Sequence, residues 1–396
     1  MDKEVSTLKI AGVIAEYNPF HAGHAYHLKQ TRIRSGCDFV VVCMAGSYTQ
    51  RGTAACLSKW DRARMALMCG ADAVFELPAL FAVRTADVFA RAGVTILDAL
   101  GVDALSFGSE TEDLPERMAE IRMSEPAAVA EMVRENLTAG MSHARAWGAA
   151  AAEYLGVDET LLNAPNAILS AEYIRAMREI GSQMEPISIL RRGGYHDPTL
   201  SDEGFASATA IRAALAGGRT ADALRAVPPE VCCILAEADA MHDPDDLLLH
   251  RLRSMSETEI AALPDVAEGL ERRVKRCAAE AASRQALIDM LKCKRYTWAR
   301  LSRLTAHALL NLTQELADRH PSPEYARLIA MREDARPLLR ELKSRAKLPI
   351  LSDPARLSEN EIFQLECRAT DLRALQCSLP AHRQANQEFT RKFVKC

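Results

Sequence analysis

The sequence predicts an α/β protein in two parts: an open parallel sheet within residues 1–225 and an all-helical domain over 226–396. Three observations carry this reading. In the first part short apolar runs alternate with helical segments across short connections, the pattern of βαβ units. Those runs are continuously apolar, as strands covered on both faces are. Past Pro228-Pro229 only Leu/Ala/Arg/Glu-rich helical patterns follow, with no convincing strand.

The elements follow in order. Residues 8–15 read as a buried strand closed by Glu16-Tyr17-Asn18-Pro19, and 21–34 as a helix. Residues 38–44 are a second strand with Val40, Val41 and Val42 in a row, and 59–69 a helix. Residues 72–76 form a short strand stopped by Pro78, 85–100 a helix, and 103–107 a strand. From 112 to 180 the segments are mainly helical, and 186–190 is one more strand. Residues 207–216 make a helix ended by Gly217-Gly218. No internal repeat or low-complexity tract interrupts this order.

The chain's 396 residues suffice for two or three domains with a real core, and 48% hydrophobic with 26% charged residues excludes a mainly disordered state. No apolar run approaches the ~18 residues a membrane span needs, and MDKEVSTLKI has no apolar signal core, so a cytoplasmic protein is expected. Eleven Cys without a C-x-x-C pair argue for reduced thiols rather than a disulfide framework or zinc ribbon. The net charge of −4 conceals an asymmetry. Residues 1–270 hold 24 Lys and Arg against 38 Asp and Glu, whereas 271–396 hold 25 against 15. A basic final third on an acidic body suits a polyanionic partner, nucleic acid first.

Asn18-Pro19-Phe20-His21-Ala22-Gly23-His24 sits where the first strand passes into the first helix. In an open α/β sheet that edge binds ligands. The helix start should offer free N–H groups and the positive end of its dipole to phosphate. Gly23 should let backbone approach the ligand. His21 and His24, one turn apart, can aim ring N–H donors at phosphoryl oxygens, and attack on an α-phosphate needs mainly positioning and charge stabilisation. A zinc reading of His21, His24 and His27 lacks a carboxylate or Cys at a sensible spacing, so no metal site is assigned. His27 is expected to pack on its helix. A second element, Ser207-Ala208-Thr209-Ala210-Ile211-Arg212, opens a later helix. Its hydroxyls, N–H groups and the Arg212 fork can hold the leaving phosphates.

The two motifs together, H-x-G-H and a later S-x-T-x-x-R, resemble the nucleotidyltransferase superfamily of Rossmann-like, adenylate-forming enzymes. Val13 to Leu28 (VIAEYNPFHAGHAYHL), Gln50-Arg51-Gly52, Phe107-Gly108-Ser109-Glu110, Ala164-Pro165-Asn166 and Lys294-Arg295-Tyr296-Thr297 look like the bacterial tRNA(Met) cytidine acetate ligase family, over residues 8–310 and more loosely to the end. The resemblance implies two steps. Acetate attacks the α-phosphate of ATP to give acetyl-adenylate and diphosphate. The exocyclic amine of the wobble cytidine of elongator tRNA(Met) then takes the acetyl group and releases AMP. It implies His21, His24, Ser207 and Arg212 in catalysis. The ATP site would comprise Val13, Ile14, Ala15, Glu16, Tyr17, Asn18, Pro19, Phe20, His21, Ala22, Gly23, His24, Ala25 and Tyr26, with Gly108, Asn166 and Arg191. Asn166 reads equally as a helix cap, and Arg191-Arg192 nearly as well as a solvated pair. Mg²⁺ is expected with ATP. Ala22, Ala45, Ser47 and Thr85 stand where the family pattern has Asn, Ser, Asn and Ser. A small-molecule adenylyltransferase and a non-catalytic RNA binder are the other readings.

Arg272, Arg273, Lys275, Arg276, Arg284, Lys292, Lys294, Arg295, Arg300 and Arg303 crowd one stretch of chain, with Tyr296 and Trp298 among them. Cations for phosphates and aromatics for stacking compose an RNA surface; the competing reading is a helix pair with solvated cations and core aromatics.

Overall fold

A computed structural model describes residues 8–141, 143–162, 164–191, 206–267, 269–293 and 295–396. Its sheet contains β1 (Ile10–Ala15), β2 (Phe39–Ala45), β3 (Ala73–Leu77), β4 (Ala104–Ser109), β5 (Glu185–Leu190), β6 (Ala326–Met331), β7 (Ile350–Leu351) and β8 (Val394–Lys395). The spatial order is β5-β4-β1-β2-β3-β6-β7, with β8 also on β6. The first five strands are parallel; Val13, for example, lies opposite Val42 on one side and Ser106 on the other.

Successive side chains of a strand point to opposite faces. Val41, Cys43 and Ala45 of β2 pack in one core, with Phe89, Val94 and Leu97 of the Ala86–Ala99 helix. Val40, Val42 and Met44 pack in the other, with Leu28 of α1 (Ala22–Ser35) and Ala63 and Ala66 of α2 (Lys59–Met68). Two covered faces explain the unbroken apolar runs. The chain leaves β1 toward β2 on one side and returns to β4 on the other, so β1 is the switch point where open α/β sheets bind ligands.

The expectation of a strandless region past 228 is corrected. The helices of residues 245–310 have their own core of Leu248, Leu252, Val274, Leu287, Leu301 and Leu304. Beyond them β6 joins the sheet antiparallel to β3, with a bulge between Val74 and Phe75, and brings β7 and β8 with it. Ala-Arg-Leu-Ile-Ala-Met is a short apolar run of helix formers, which periodicity alone cannot assign to strand or helix.

The seam between β3 and the C-terminal part is charged and buried. Lys59 Nζ contacts Glu76, Glu366 and Glu388, while Arg327 meets Glu76 at 2.7 Å and Glu388 at 2.6 Å; all five side chains are buried. Burial acts to raise the Glu76 carboxyl, but Lys59 and Arg327 outweigh it and hold it down to about 2. Burial, with Glu76 beside it, pushes Glu366 up to about 7.

Candidate active site

A cavity of about 320 Å³ opens at the switch point, over the ends of β1 and β4. His21 is the N-cap of α1, in extended conformation. Its Nδ1 accepts the Gly23 N–H at 3.1 Å, and the His24 Nδ1 accepts the His21 N–H at 3.3 Å. The two imidazoles thus cap the helix reciprocally and stack at a centroid distance of 3.7 Å. Burial, then Arg191 and Arg212, pushes His21 down to about 3; burial, then His21, lowers His24 well below the ordinary range. A neutral ring whose Nδ1 accepts carries its proton on Nε2. Both histidines are therefore neutral Nε2–H donors on rings that line the cavity.

The expected role of the helix start needs correction. The Ala22 N–H donates to the Ala226 carbonyl, Gly23 to the His21 ring, and His24 and Ala25 to the His21 carbonyl. The backbone donors of α1 are spent; its dipole and its imidazoles remain. Gly23 is small for a related reason, since a Cβ there would lie 2.9 Å from the His21 ring. His27 bonds Ser106 of β4 through Nε2 at 3.1 Å and reaches the cavity wall.

The second motif opens another helix at the cavity. Ser207 caps the Ala208–Ala216 helix, its Oγ accepting the Ala210 N–H at 3.1 Å. Among the described residues no acceptor meets the N–H of Ala208 or Thr209, and both residues line the cavity. Arg212 joins the motifs: one arm donates to the Asn18 carbonyl at 2.5 Å, the other to Thr209 Oγ1 at 3.1 Å. Buried Arg62 fixes the same edge from behind, donating to the carbonyls of Leu57, Glu16, Ala45 and Gly46.

On the β4–β5 flank Gly108, Asn166 and Arg191 all line the cavity. Ala164, not Asn166, caps the Pro165–Ile180 helix; the Asn166 amide instead donates to Glu110 Oε1 at 3.1 Å, and Arg191 faces the same oxygen at 3.8 Å. Arg192 lies outside the described residues. Val13, Ile14, Ala15, Glu16, Tyr17, Asn18 and Tyr26 line the cavity, whereas Pro19, Phe20, Ala22 and Ala25 do not. Phe20 is core, against Tyr17 and His24.

The β2 flank was missed as part of the site. Thr49, Gln50, Arg51 and Thr53, from the loop after β2, line the cavity on the other side of β1 from the β4–β5 flank. Gln50-Arg51-Gly52 was visible as a motif but carried no chemistry by spacing. Glu16 Oε1 accepts the Gln50 N–H at 2.6 Å, Ser302 Oγ donates to the Arg51 carbonyl at 2.5 Å, and Arg284 to the Gly52 carbonyl at 3.3 Å. Gly52 has φ +71°, and a Cβ would meet the backbone of Ser302 and Arg303 at 2.6–2.7 Å.

The basic segment divides. Arg303 and Tyr296 are 8% and 6% exposed, so the expectation that they meet RNA is corrected: Tyr296 packs in the helical core, and Arg303 faces Asp265 at 3.5 Å. Lys275 is tied to the carbonyls of Leu252, Arg253 and Met255, and Arg300 to that of Asp265. Arg284 is buried against Thr305 and Ser302. Arg273 donates to the Met290 carbonyl. Arg272, Arg276, Lys292 and Arg295 are exposed, and Lys294 lies outside the described residues. No helix among the described residues is long and apolar enough to cross a membrane.

Known proteins match at every level. The HIGH Nucleotidyl Transferase family model matches residues 8–388. The tRNA(Met) cytidine acetate ligase of Anoxybacillus flavithermus is 37% identical, covering 92% of this chain and 94% of the relative. That of Syntrophotalea carbinolica is 39% identical over 88% and 86%. The crystal structure of Thermotoga maritima TmcAL bound with alpha-thio ATP superimposes with a TM-score of 0.88 at 29% identity, covering 98% of this chain and 99% of that one; its apo form gives 0.89. With the H-x-G-H histidines at the switch point and the match running through both parts of the chain, the protein belongs to the tRNA(Met) cytidine acetate ligase family of HIGH nucleotidyl transferases.

Proposed function

We propose that this protein forms acetyl-adenylate from ATP and acetate and acetylates the wobble cytidine of elongator tRNA(Met) in the cytoplasm. The observation that carries the reading is the convergence of two neutral imidazole donors, the start of the Ala208–Ala216 helix and the guanidinium groups of Arg51, Arg191 and Arg212 on one cavity. ATP enters as its Mg²⁺ complex, a substrate. The adenosine lies on the β4–β5 flank with Gly108, Asn166 and Arg191. His21 and His24 donate to phosphoryl oxygens, and Ser207, Thr209 and Arg212 hold the leaving phosphates. A carboxylate oxygen of acetate bonds to the α-phosphorus as the bond to diphosphate breaks; the cytidine amine then bonds to the acetyl carbon and AMP leaves. Donors fixed before reaction stabilise developing charge without reorganisation.

Arg212 tests the phosphate assignment. Its guanidinium is held by Asn18 and Thr209, so its remaining N–H groups have a fixed direction. Arg212→Lys keeps the charge and loses the fork. The adenylation rate at saturating ATP should fall at least tenfold, with a smaller change in ATP affinity, because diphosphate gains charge as it leaves. A single-turnover rate within about twofold of the parent makes Arg212 a tie between loops and nothing more.

The division of labour is ATP chemistry within 1–225 and tRNA affinity in 271–396. The exposed cations Arg272, Arg276, Lys292 and Arg295 are the candidates for phosphate contact. Arg276→Glu with Lys292→Glu should weaken tRNA binding and lower its salt slope by about one per lost contact, leaving acetate-dependent ATP–diphosphate exchange intact. Exchange that falls in step with tRNA binding assigns these residues to the fold instead.

A further inference from the structure

One face of the Glu361–Leu375 helix, continued by its C-cap Gln376, is given over to the loop that forms the β2 flank of the cavity. Glu366 Oε1 accepts the Ser47 N–H at 3.3 Å and stands 2.2 Å from where a Cβ on Gly46 would lie. Thr370 Oγ1 donates to Glu388, so in its 2.8 Å contact with Ser47 Oγ the serine is the donor. Arg373 donates to the carbonyls of Ala55 at 2.8 Å and Cys56 at 3.1 Å. Gln376 Nε2 donates to the Tyr48 hydroxyl at 2.7 Å. Spacings of four, three and three put these side chains in one row, and all four are buried.

A row of buried polar groups is costly unless each finds its partner. Glu366 and Thr370 also take part in the buried charge cluster through Lys59 and Glu388. Beside those contacts each of the four holds this one loop, at one or the other of its ends. Between those ends Thr49, Gln50, Arg51 and Thr53 face the cavity. With the nucleotide on the β4–β5 flank, this wall is left for the acid that attacks it. We propose that Glu366, Thr370, Arg373 and Gln376 are positioning residues that hold the acid-side wall in register with the phosphates, although they touch no substrate. The identity of the acid rests on the function proposed above; the geometry of the splint does not.

The test uses the full chain with Thr370→Val, which removes the hydroxyl at nearly constant shape, Thr370→Ser, which keeps it, and Gln376→Met, which lies furthest along the row from the buried charges. Acetate-dependent ATP–diphosphate exchange should show KM for acetate raised roughly tenfold in Thr370→Val and Gln376→Met, with KM for ATP within about twofold, and Thr370→Ser close to the parent. Amide hydrogen exchange should accelerate across residues 46–56 in the first two variants and not in the third. Unchanged loop exchange with unchanged KM values overturns the proposal. So do parallel rises in both KM values, which denote general loosening. A parent protein without acetate-dependent exchange refutes the functional reading, and loop exchange then decides the splint alone.

Discussion

His24→Ala is expected to slow acetate-dependent ATP–diphosphate exchange by about 10²–10³-fold, or roughly 2.7–4 kcal/mol of transition-state stabilisation, the usual cost of one fixed oxyanion donor. The His24 Nε2–H points from a ring locked by its own Nδ1 bond to the His21 N–H. Deleting it removes a donor toward the phosphates and frees one capping bond, which leaves folding in place. The same geometry sets the pH behaviour. His21 is pushed down to about 3, so it is neutral throughout the physiological range and becomes a cation only near that value. The rate–pH profile should carry no histidine inflection from these rings between about pH 5 and 8. An inflection near 6.5 that disappears in the variant contradicts the neutral-donor assignment, and near-parental exchange in the double alanine variant removes the site assignment altogether.

Lys59→Met should cost about 3–5 kcal/mol of stability, because removing one partner leaves buried carboxylates uncompensated. Lys59 meets three of them, Glu76, Glu366 and Glu388, with only Arg327 as a second cation in the cluster. Against a typical total of ~5–15 kcal/mol this is a large fraction. The loss should appear as a lower denaturant midpoint and as earlier release of the β6 region from β3 in hydrogen exchange. An unchanged midpoint means the cluster is already neutralised by proton uptake, at odds with a Glu76 held down to about 2.

The parallel strands and the H-x-G-H turn were legible because both depend on local pattern: unbroken Val-rich runs, and a polar motif at a strand-to-helix passage. Ser207 and Arg212 were legible as a helix start, and the structure adds what spacing does not contain, the bond from Arg212 across to Asn18. The strand β6 was not legible, since Arg327 interrupts its apolar run and its charge is met by Glu76 and Glu388, 251 residues before it and 61 after it. Tyr296 illustrates the converse error. An aromatic among cations suits both a stacking platform and a core, and only burial separates them. The β2 flank was hidden because Arg51 and Gly52 are held by Ser302 and Arg284, and the ends of their loop by the Glu361–Leu375 helix and its C-cap Gln376, partners no local pattern reveals.

The central claim is that this cavity activates acetate with ATP for transfer to a tRNA cytidine. Its most direct test is mass spectrometry of the nucleosides of elongator tRNA(Met) after incubation with the purified protein, isotopically labelled acetate and ATP. Labelled N(4)-acetylcytidine, formed only when ATP is present and abolished by His21→Ala with His24→Ala, is the predicted result. Unlabelled cytidine throughout, with ATP consumed to another adenylylated product or not at all, would contradict the account.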